Sequence, residues 1–397
     1  MRKIICALCI ISFIYGDSKI VYANEEQIEL YAQSAVLMDG ETGRVLFGKN
    51  SIDEKANAST TKILTCILAL ENGNLEEEVM VSQKAQNQPA VHLGVVEGES
   101  YILEDMLYAL MLESFNDSAI IIAEAISGTV ENFQNLMNQK AMEIGCENTY
   151  FITPNGLDEE DELGTHHTTA EDLGLIMKYC ILNSPKKEEF LHITRTQNHS
   201  FYDCDEKRQF ICNNHNALLQ LREDTLSGKT GFTNDAGYCY VGAVENQGRI
   251  FIIVLLGCGW PNNREYKWKD SNKLLDYGIN HYFYKEIPYQ NECKILQEQK
   301  LEIINGKTWE DTYYLELDSQ PVKSVKILMN GEEKIACNLE LPTHINAPLH
   351  KNELIGYFKY SVDNYVLDTR GIYAQNKVEK SSKKFNFYKK VTKTLLD

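Results

Sequence analysis

Basic charge is scarce in this sequence. Lys and Arg number 39 against 57 Asp and Glu, a formal charge of −18 over 397 residues. That balance argues against a nucleic-acid binder, because phosphate contacts need clustered cations. No internal run approaches the roughly 20 apolar residues of a transmembrane helix. The nine histidines show no HExxH or similar ligand pattern, so no metal is expected, and no cofactor motif stands out. Of the 11 cysteines, Cys6 and Cys9 lie near the N-terminus. The other nine are an odd number, scattered without CxxC spacing, which fits neither a disulfide framework nor a zinc site. Several sit in apolar runs such as "LTCILAL" and "LLGCGW", where cysteine behaves as a small hydrophobe. Buried free thiols are the expectation.

What is present begins with an address. "MRKIICALCIISFIYG" places Arg2 and Lys3 before a short apolar run. Val21-Tyr22-Ala23 then fits a small-x-small cleavage site with Asn24 as the new N-terminus. Residues 1–23 read as a secretory signal, and the mature protein as exported.

A chain of this length has room for two domains. "SAVLMDGETGRVLFGKN" reads as a β-hairpin, and Ser59 to about Glu71 as a largely buried helix. "ESYILEDMLYALMLES" and "NDSAIIIAEAISG" read as further helices, the second ended by Gly128. "HTTAEDLGLIMKYCI" opens with a capping box from Thr168 to Glu171. "AGYCYVGAVENQGRIFIIVLLGC" is a strong hairpin turning near Asn246–Gly248, and "KWKDSNKLLDYGINHYFY" a closing helix. The expected fold of residues 24–288 is α/β (α+β): an antiparallel sheet, its first and last strands paired, flanked by helices. Short alternating runs then imply a small all-β domain over 289–376.

The tail, 377–397, is the one basic segment. On a helical wheel Phe385, Phe387, Tyr388, Val391, Leu395 and Leu396 share one half, with Lys384 among them at the helix start. Lys383, Lys389, Lys390 and Lys393 share the other. Such a helix suits an anionic membrane surface and is too short to cross one.

"ANASTTKILTCILAL" puts Ser59 and Lys62 three apart at the head of an apolar run. Alone, the pair reads as a helix cap and a surface lysine. Two further polar signals change that: "LESFNDSA", with Ser114 and Asn116 between two helices, and "LSGKTGFTNDAGYCYV", with Lys229-Thr230-Gly231 leading into a strand. In that order S-x-x-K, S-x-N and K-T-G form the signature of the penicillin-recognising active-site serine enzymes. The chemistry accounts for the residue types. A serine hydroxyl needs a base, and Lys62 serves if burial and the like charge of Lys229 keep it partly neutral. The N–H groups of Ser59 and Phe232 can form an oxyanion hole. Lys229 and Thr230 offer a cation and a hydroxyl to a substrate carboxylate.

The chain resembles the D-alanyl-D-alanine carboxypeptidases, the low-molecular-mass penicillin-binding proteins. The likeness extends to "AVLMDGETGRVLFGKN", "GVVEGESYILEDMLYALMLESFND", "TPNGLDEE…HHTTAEDL" and "NHNALL". The resemblance implies Ser59 as acylated nucleophile, Lys62 as its base, and Ser114 and Asn116 as the second catalytic element. Lys229, Thr230, Gly231, Phe232 and Thr233 would bind substrate. That substrate would be a peptidoglycan stem peptide ending in D-Ala-D-Ala, with β-lactams as covalent inhibitors. The enzyme would sit peripherally on the outer face of the bacterial cytoplasmic membrane, with the β-domain as a spacer.

Two departures stand out. Phe115 is bulkier than the small residue usual inside S-x-N, which could narrow the cleft. "DEEDELG" (158–164) echoes the E-x-E-L-N of class A β-lactamases through Glu160 but has Gly164 where that motif ends in Asn. It reads as a solvated acidic loop. The alternatives are a class A-like β-lactamase, an inactive peptidoglycan-binding module, and a transpeptidase that differs only in the acceptor.

Overall fold

The computed structural model describes residues 8–13, 28–286, 292–299, 301–309, 314–319, 326–363 and 365–396. The expected cleavage site and the 287–291 stretch lie outside them. The chain divides into two units, Asn24–His281 and a second comprising Tyr282–Asp397 with Met1–Ala23.

The first unit is organised by a five-stranded antiparallel sheet. Its order is Thr225–Thr233, Gly237–Asn246, Arg249–Leu256, Ser34–Asp39, Val45–Lys49. The hairpin turn falls at Gln247–Gly248, and Arg249–Leu256 pairs back with Ser34–Asp39, as the sequence pattern implies. Every residue of Ser34–Asp39 is buried, which requires both faces of the sheet to be covered. Neighbouring residues of a strand point to opposite faces. A side chain at Gly174 would meet Met38, and one at Gly278 would meet Leu37. The Ala170–Lys178 helix therefore covers one face and the Tyr266–His281 helix the other.

At the middle of the helical layer lies Lys62–Asn72, buried from Lys62 through Leu70. A helix apolar on all sides belongs inside a bundle, and this one packs against Asn116–Ser127, Val130–Ile144, Ala170–Lys178 and Lys187–Arg195. Asn116–Ser127 ends at Gly128. The stretch read as one helix from Glu99 is divided instead. Ser100–Ile102 is a strand paired with Glu78–Met80, Leu103–Tyr108 is α-helical, and Ala109–Glu113 widens into a π-helical turn.

The N-cap also lies one residue later than the sequence suggests, and the Asp172 carboxylate, bonded to Asn148 and Thr149, closes no capping box. Thr169 is the N-cap, its Oγ1 accepting from the Asp172 N–H at 3.0 Å. The Thr168 hydroxyl pairs instead with Thr149, and Glu171 accepts from Ser51.

The second unit begins earlier than residue 289, because Phe283–Glu286 pairs with Lys326–Met329. Its main sheet runs Leu8–Phe13, Ile335–Pro342, Leu354–Val362, Tyr365–Ala374, Leu317–Ser319. A short helix, Glu292–Glu298, accompanies it. Glu292, Tyr360 and Arg370 form a buried polar cluster in which the Tyr360 hydroxyl and the Arg370 guanidinium both donate to the Glu292 carboxylate. The tail forms one helix, Lys383–Leu396. Phe387, Tyr388, Val391 and Leu395 are exposed on it, while Phe385 meets Trp309 edge-on. Among the described residues no helix is long and apolar enough to cross a membrane. Cys66, Cys146, Cys180, Cys204, Cys212, Cys239, Cys258 and Cys337 are free thiols, with Cys66, Cys180, Cys212, Cys239 and Cys258 buried.

Thr169→Ala removes the N-cap acceptor, which typically costs about 1 kcal/mol. For a domain of this size a thermal melt should record a midpoint lower by roughly 2–4 °C; an unchanged midpoint would mean the cap contributes nothing.

Candidate active site

Ser59 lies in a short turn, Ala58–Thr61, that runs directly into the Lys62–Asn72 helix. Lys62 follows one turn later, so its side chain rises beside the serine, with Nζ 3.1 Å from Ser59 Oγ. Lys62 is fully buried. Its Nζ also lies 2.6 Å from the Ser114 carbonyl, 2.8 Å from Asn116 Oδ1 and 3.3 Å from Ser114 Oγ. The carbonyl and the amide oxygen can only accept, so they take two N–H groups. A neutral amine then has its lone pair left to turn toward the hydroxyls.

Ser114 and Asn116 reach Lys62 because the backbone turns sharply between two helices. The π-helical turn ends at Ser114, which adopts the left-handed conformation with φ 68°. Phe115 is extended, and Asn116 begins the next helix. Phe115 itself packs against the hydrophobic core, so its bulk is turned at least in part away from the cleft. Asn116 donates through Nδ2 to the Pro89 carbonyl, and its backbone N–H bonds the Val91 carbonyl. Asp117 next to it is 1% exposed, and its carboxylate accepts from the N–H groups of Leu93, Gly94 and Ser118. The 88–94 loop is thereby fastened to the Ser114–Asn116 turn.

The third wall is Thr225–Thr233, the outer strand of the sheet. An outer strand keeps one row of backbone groups for a ligand. Lys229 is 3% exposed, its Nζ 2.9 Å from Ser114 Oγ and 3.0 Å from the Thr230 carbonyl. Ser114 Oγ thus bridges the two lysines. A Cβ at Gly231 would sit 3.0 Å from both the Asn57 carbonyl oxygen and the Ser59 nitrogen, which is why the strand can come so close to the serine. Phe232 is 39% exposed, with its ring 4.7 Å from that of Tyr238. Thr233 ends the strand, and its hydroxyl donates to Asp158.

Burial dominates the electrostatics. It pushes Lys229 down to about 7. Lys62 lies well below its ordinary value, through burial first and then the like charge of Lys229, with the Asp117 carboxylate opposing. These are the two causes expected to depress a lysine.

The structure brings Ser59, Lys62, Ser114, Asn116 and Lys229 into one hydrogen-bonded group, with Thr230, Gly231, Phe232 and Thr233 along its edge. Sequence reasoning missed Asn155, whose carbonyl lies 3.4 Å from Ser59 Oγ and whose Nδ2 donates to Gln88. It also missed Asp117 and His166. All three lie within stretches that drew notice for other residues. Glu160, the echo of a β-lactamase glutamate, is exposed in a two-residue strand paired with Gly164–Thr165. Among the described residues no three His, Cys, Asp or Glu side chains cluster as metal ligands.

Comparison with known proteins places this geometry in a family. A D-alanyl-D-alanine carboxypeptidase DacF of Bacillus subtilis is 28% identical over 356 residues, covering 88% of this chain and 86% of the relative. Penicillin-binding protein 5 of Haemophilus influenzae superposes with a TM-score of 0.66 at 25% identity, over 89% of this chain and 98% of that one. Penicillin-binding protein D2 of Listeria monocytogenes, in a cefotaxime-bound form, gives 0.55 at 26% identity over 64% and 98%. Residues 318–380 match the penicillin-binding protein 5 C-terminal domain. Residues 21–259 match the D-alanyl-D-alanine carboxypeptidase family, and since that match spans more than half of the chain, the protein belongs to this family of serine peptidases.

Proposed function

We propose that this protein removes the terminal D-alanine from peptidoglycan stem peptides through an acyl-enzyme on Ser59, and that β-lactams acylate the same hydroxyl. The observation that carries this reading is the position of Lys62 Nζ, 3.1 Å from Ser59 Oγ with two obligate acceptors on its other sides. The neutral amine takes the Ser59 proton as Oγ attacks the penultimate carbonyl. The Ser59 and Phe232 N–H groups receive the oxyanion. Ser114, hydrogen-bonded to both lysines, passes the proton to the departing amine of D-alanine. Lys229 and the Thr230 hydroxyl hold the substrate carboxylate, which Thr233 joins only by turning its hydroxyl from Asp158, and Asn116 holds a substrate amide. Water then attacks the acyl ester, with Lys62 again the base.

The β-lactamase alternative needs a carboxylate to activate the deacylating water. Beside Ser59 is the Asn155 carbonyl instead, and Glu160 is exposed on its hairpin. That favours a long-lived penicilloyl adduct. Release of residues 1–23 would place the protein outside the cytoplasmic membrane and would take with it the Leu8–Phe13 strand, which lies at the edge of the second unit's sheet. The Lys383–Leu396 helix carries exposed apolar residues beside its lysines, which suits peripheral attachment to an anionic surface.

Three outcomes test the reading. An intact-mass time course of residues 24–397 with benzylpenicillin should give one lasting adduct mapped to Ser59, and none in Ser59→Ala; turnover without an adduct would favour a β-lactamase. The second-order acylation rate should be bell-shaped in pH. It rises as Lys62 loses its proton, and falls as Lys229 loses its own from about pH 7 upward, because only the cation holds the carboxylate. A rate flat across pH 6–9 would contradict these roles. Removing residues 377–397 should abolish sedimentation with anionic liposomes while leaving acylation intact; equal partitioning of both forms would refute the membrane role.

A further inference from the structure

The residue before Ser59 is, with Ser114, one of two strained points of the site. Ala58 has φ 49°, in the left-handed region that costs a non-glycine residue roughly 1–3 kcal/mol. Something must hold it there, and the hydrogen bonds around its carbonyl identify what does. The Thr61 hydroxyl donates to the Ala58 oxygen at 2.9 Å. The backbone of Gly156, itself at φ 79°, lies against the same oxygen, so close that a Cβ there would stand 2.0 Å away.

Thr61 is fixed in turn. His166 is 3% exposed, and its Nδ1 faces the N–H groups of Ile152 and Thr153 at 3.0 and 3.3 Å. Both are donors, so Nδ1 must accept and the ring proton resides on Nε2. That proton points to Thr61 Oγ1 at 3.0 Å, and the Asn57 Nδ2 group donates to the same oxygen at 2.9 Å. With two donors arriving, the Thr61 hydrogen is directed to the Ala58 carbonyl. Burial lowers His166 to about 3, so the ring keeps this arrangement throughout the neutral range.

The consequence follows from the planarity of the peptide bond. The Ala58 C=O and the Ser59 N–H belong to one trans peptide unit and point in opposite directions. Fixing the carbonyl toward Thr61 fixes the N–H on the other side, toward the Gly231 backbone and the cleft. We propose that Thr61 and His166 are positioning residues of the reaction: they clamp the Ala58–Ser59 peptide plane so that the Ser59 N–H is aimed as an oxyanion donor.

This inference rests on Ser59 being the acylated residue, and the experiment separates the two. Saturation kinetics with benzylpenicillin yield the pre-acylation dissociation constant and the acylation rate constant independently. Losing one oxyanion donor costs about 100- to 1000-fold, so a loosened one in Thr61→Val should cost about 10- to 100-fold in the rate constant. The dissociation constant should stay within twofold, because the donor acts on charge that develops only in the transition state. Thr61→Ser, which keeps the hydroxyl, should stay within about threefold of the parent rate. His166→Asn can still accept the Ile152 N–H but falls short of Thr61, and should lose about 3- to 10-fold; it carries the test if Thr61→Val fails to fold.

Folded Thr61→Val or His166→Asn acylating at the parent rate would overturn the clamp. Thr61→Ser as slow as Thr61→Val would also overturn it, by tracing the effect to the methyl group. A parent protein that forms no adduct on Ser59 would instead remove the acyl-enzyme reading beneath it.

Discussion

Two lysines buried against each other are the constraint around which this active site is built. Lys62 and Lys229 come from a central helix and an outer strand, and both are withdrawn from water. Two full ammonium charges would be costly in that setting. The site therefore favours one amine without its proton, which is the form a serine nucleophile needs in its base. The Ser114 hydroxyl makes the arrangement tolerable by standing between them. It can stand there only because the preceding turn widens and Ser114 takes a left-handed conformation. Two left-handed non-glycine residues, Ala58 and Ser114, stand where the chemistry needs them, and the surrounding helices and sheet hold them in place.

Much of this was legible in the sequence because its signals are local. The S-x-x-K spacing follows from the pitch of a helix, and the hairpin turning at Gln247–Gly248 follows from alternation and a turn pair. Three motifs in a fixed order then specified the chemistry. What escaped was either too fine or too distant for a local pattern. Thr168 and Thr169 both have a capping partner three residues on, and only the Thr149 contact decides that Thr169 is the cap. Alternation at Ser100–Ile102 spans only three residues before a strong helical pattern begins. Asn155 and His166 meet the Ala58–Thr61 turn from about a hundred residues away, a pairing that only the tertiary fold creates.

The second unit rests on other physics. Glu292, Tyr360 and Arg370 bury a carboxylate and a guanidinium together, which ties the short helix to the sheet. Such a pair is weak evidence for stability, although breaking it by removing one partner is costly. The tail helix contrasts with the chain that carries it. Its lysines form a local positive surface on a protein of net charge −18. On the proposed membrane role, an anionic surface would repel the acidic remainder and attract the tail.

The carboxylate of Asp117 joins the 93–94 loop to the start of the Asn116–Ser127 helix, while Asn116 grips the same loop at Pro89 and Val91. Loop and helix are therefore fastened together as one jaw of the cleft. The opposite jaw, formed by the outer strand near Phe232 and Thr233, has a partly exposed aromatic ring at its rim. Hydrogen bonds thus brace the first jaw, while the rim of the second ends in a side chain that the fold does not enclose. Divergence in ligand preference within this scaffold is accordingly cheapest at the rim of the outer strand, where a side chain can change without unseating the lysines.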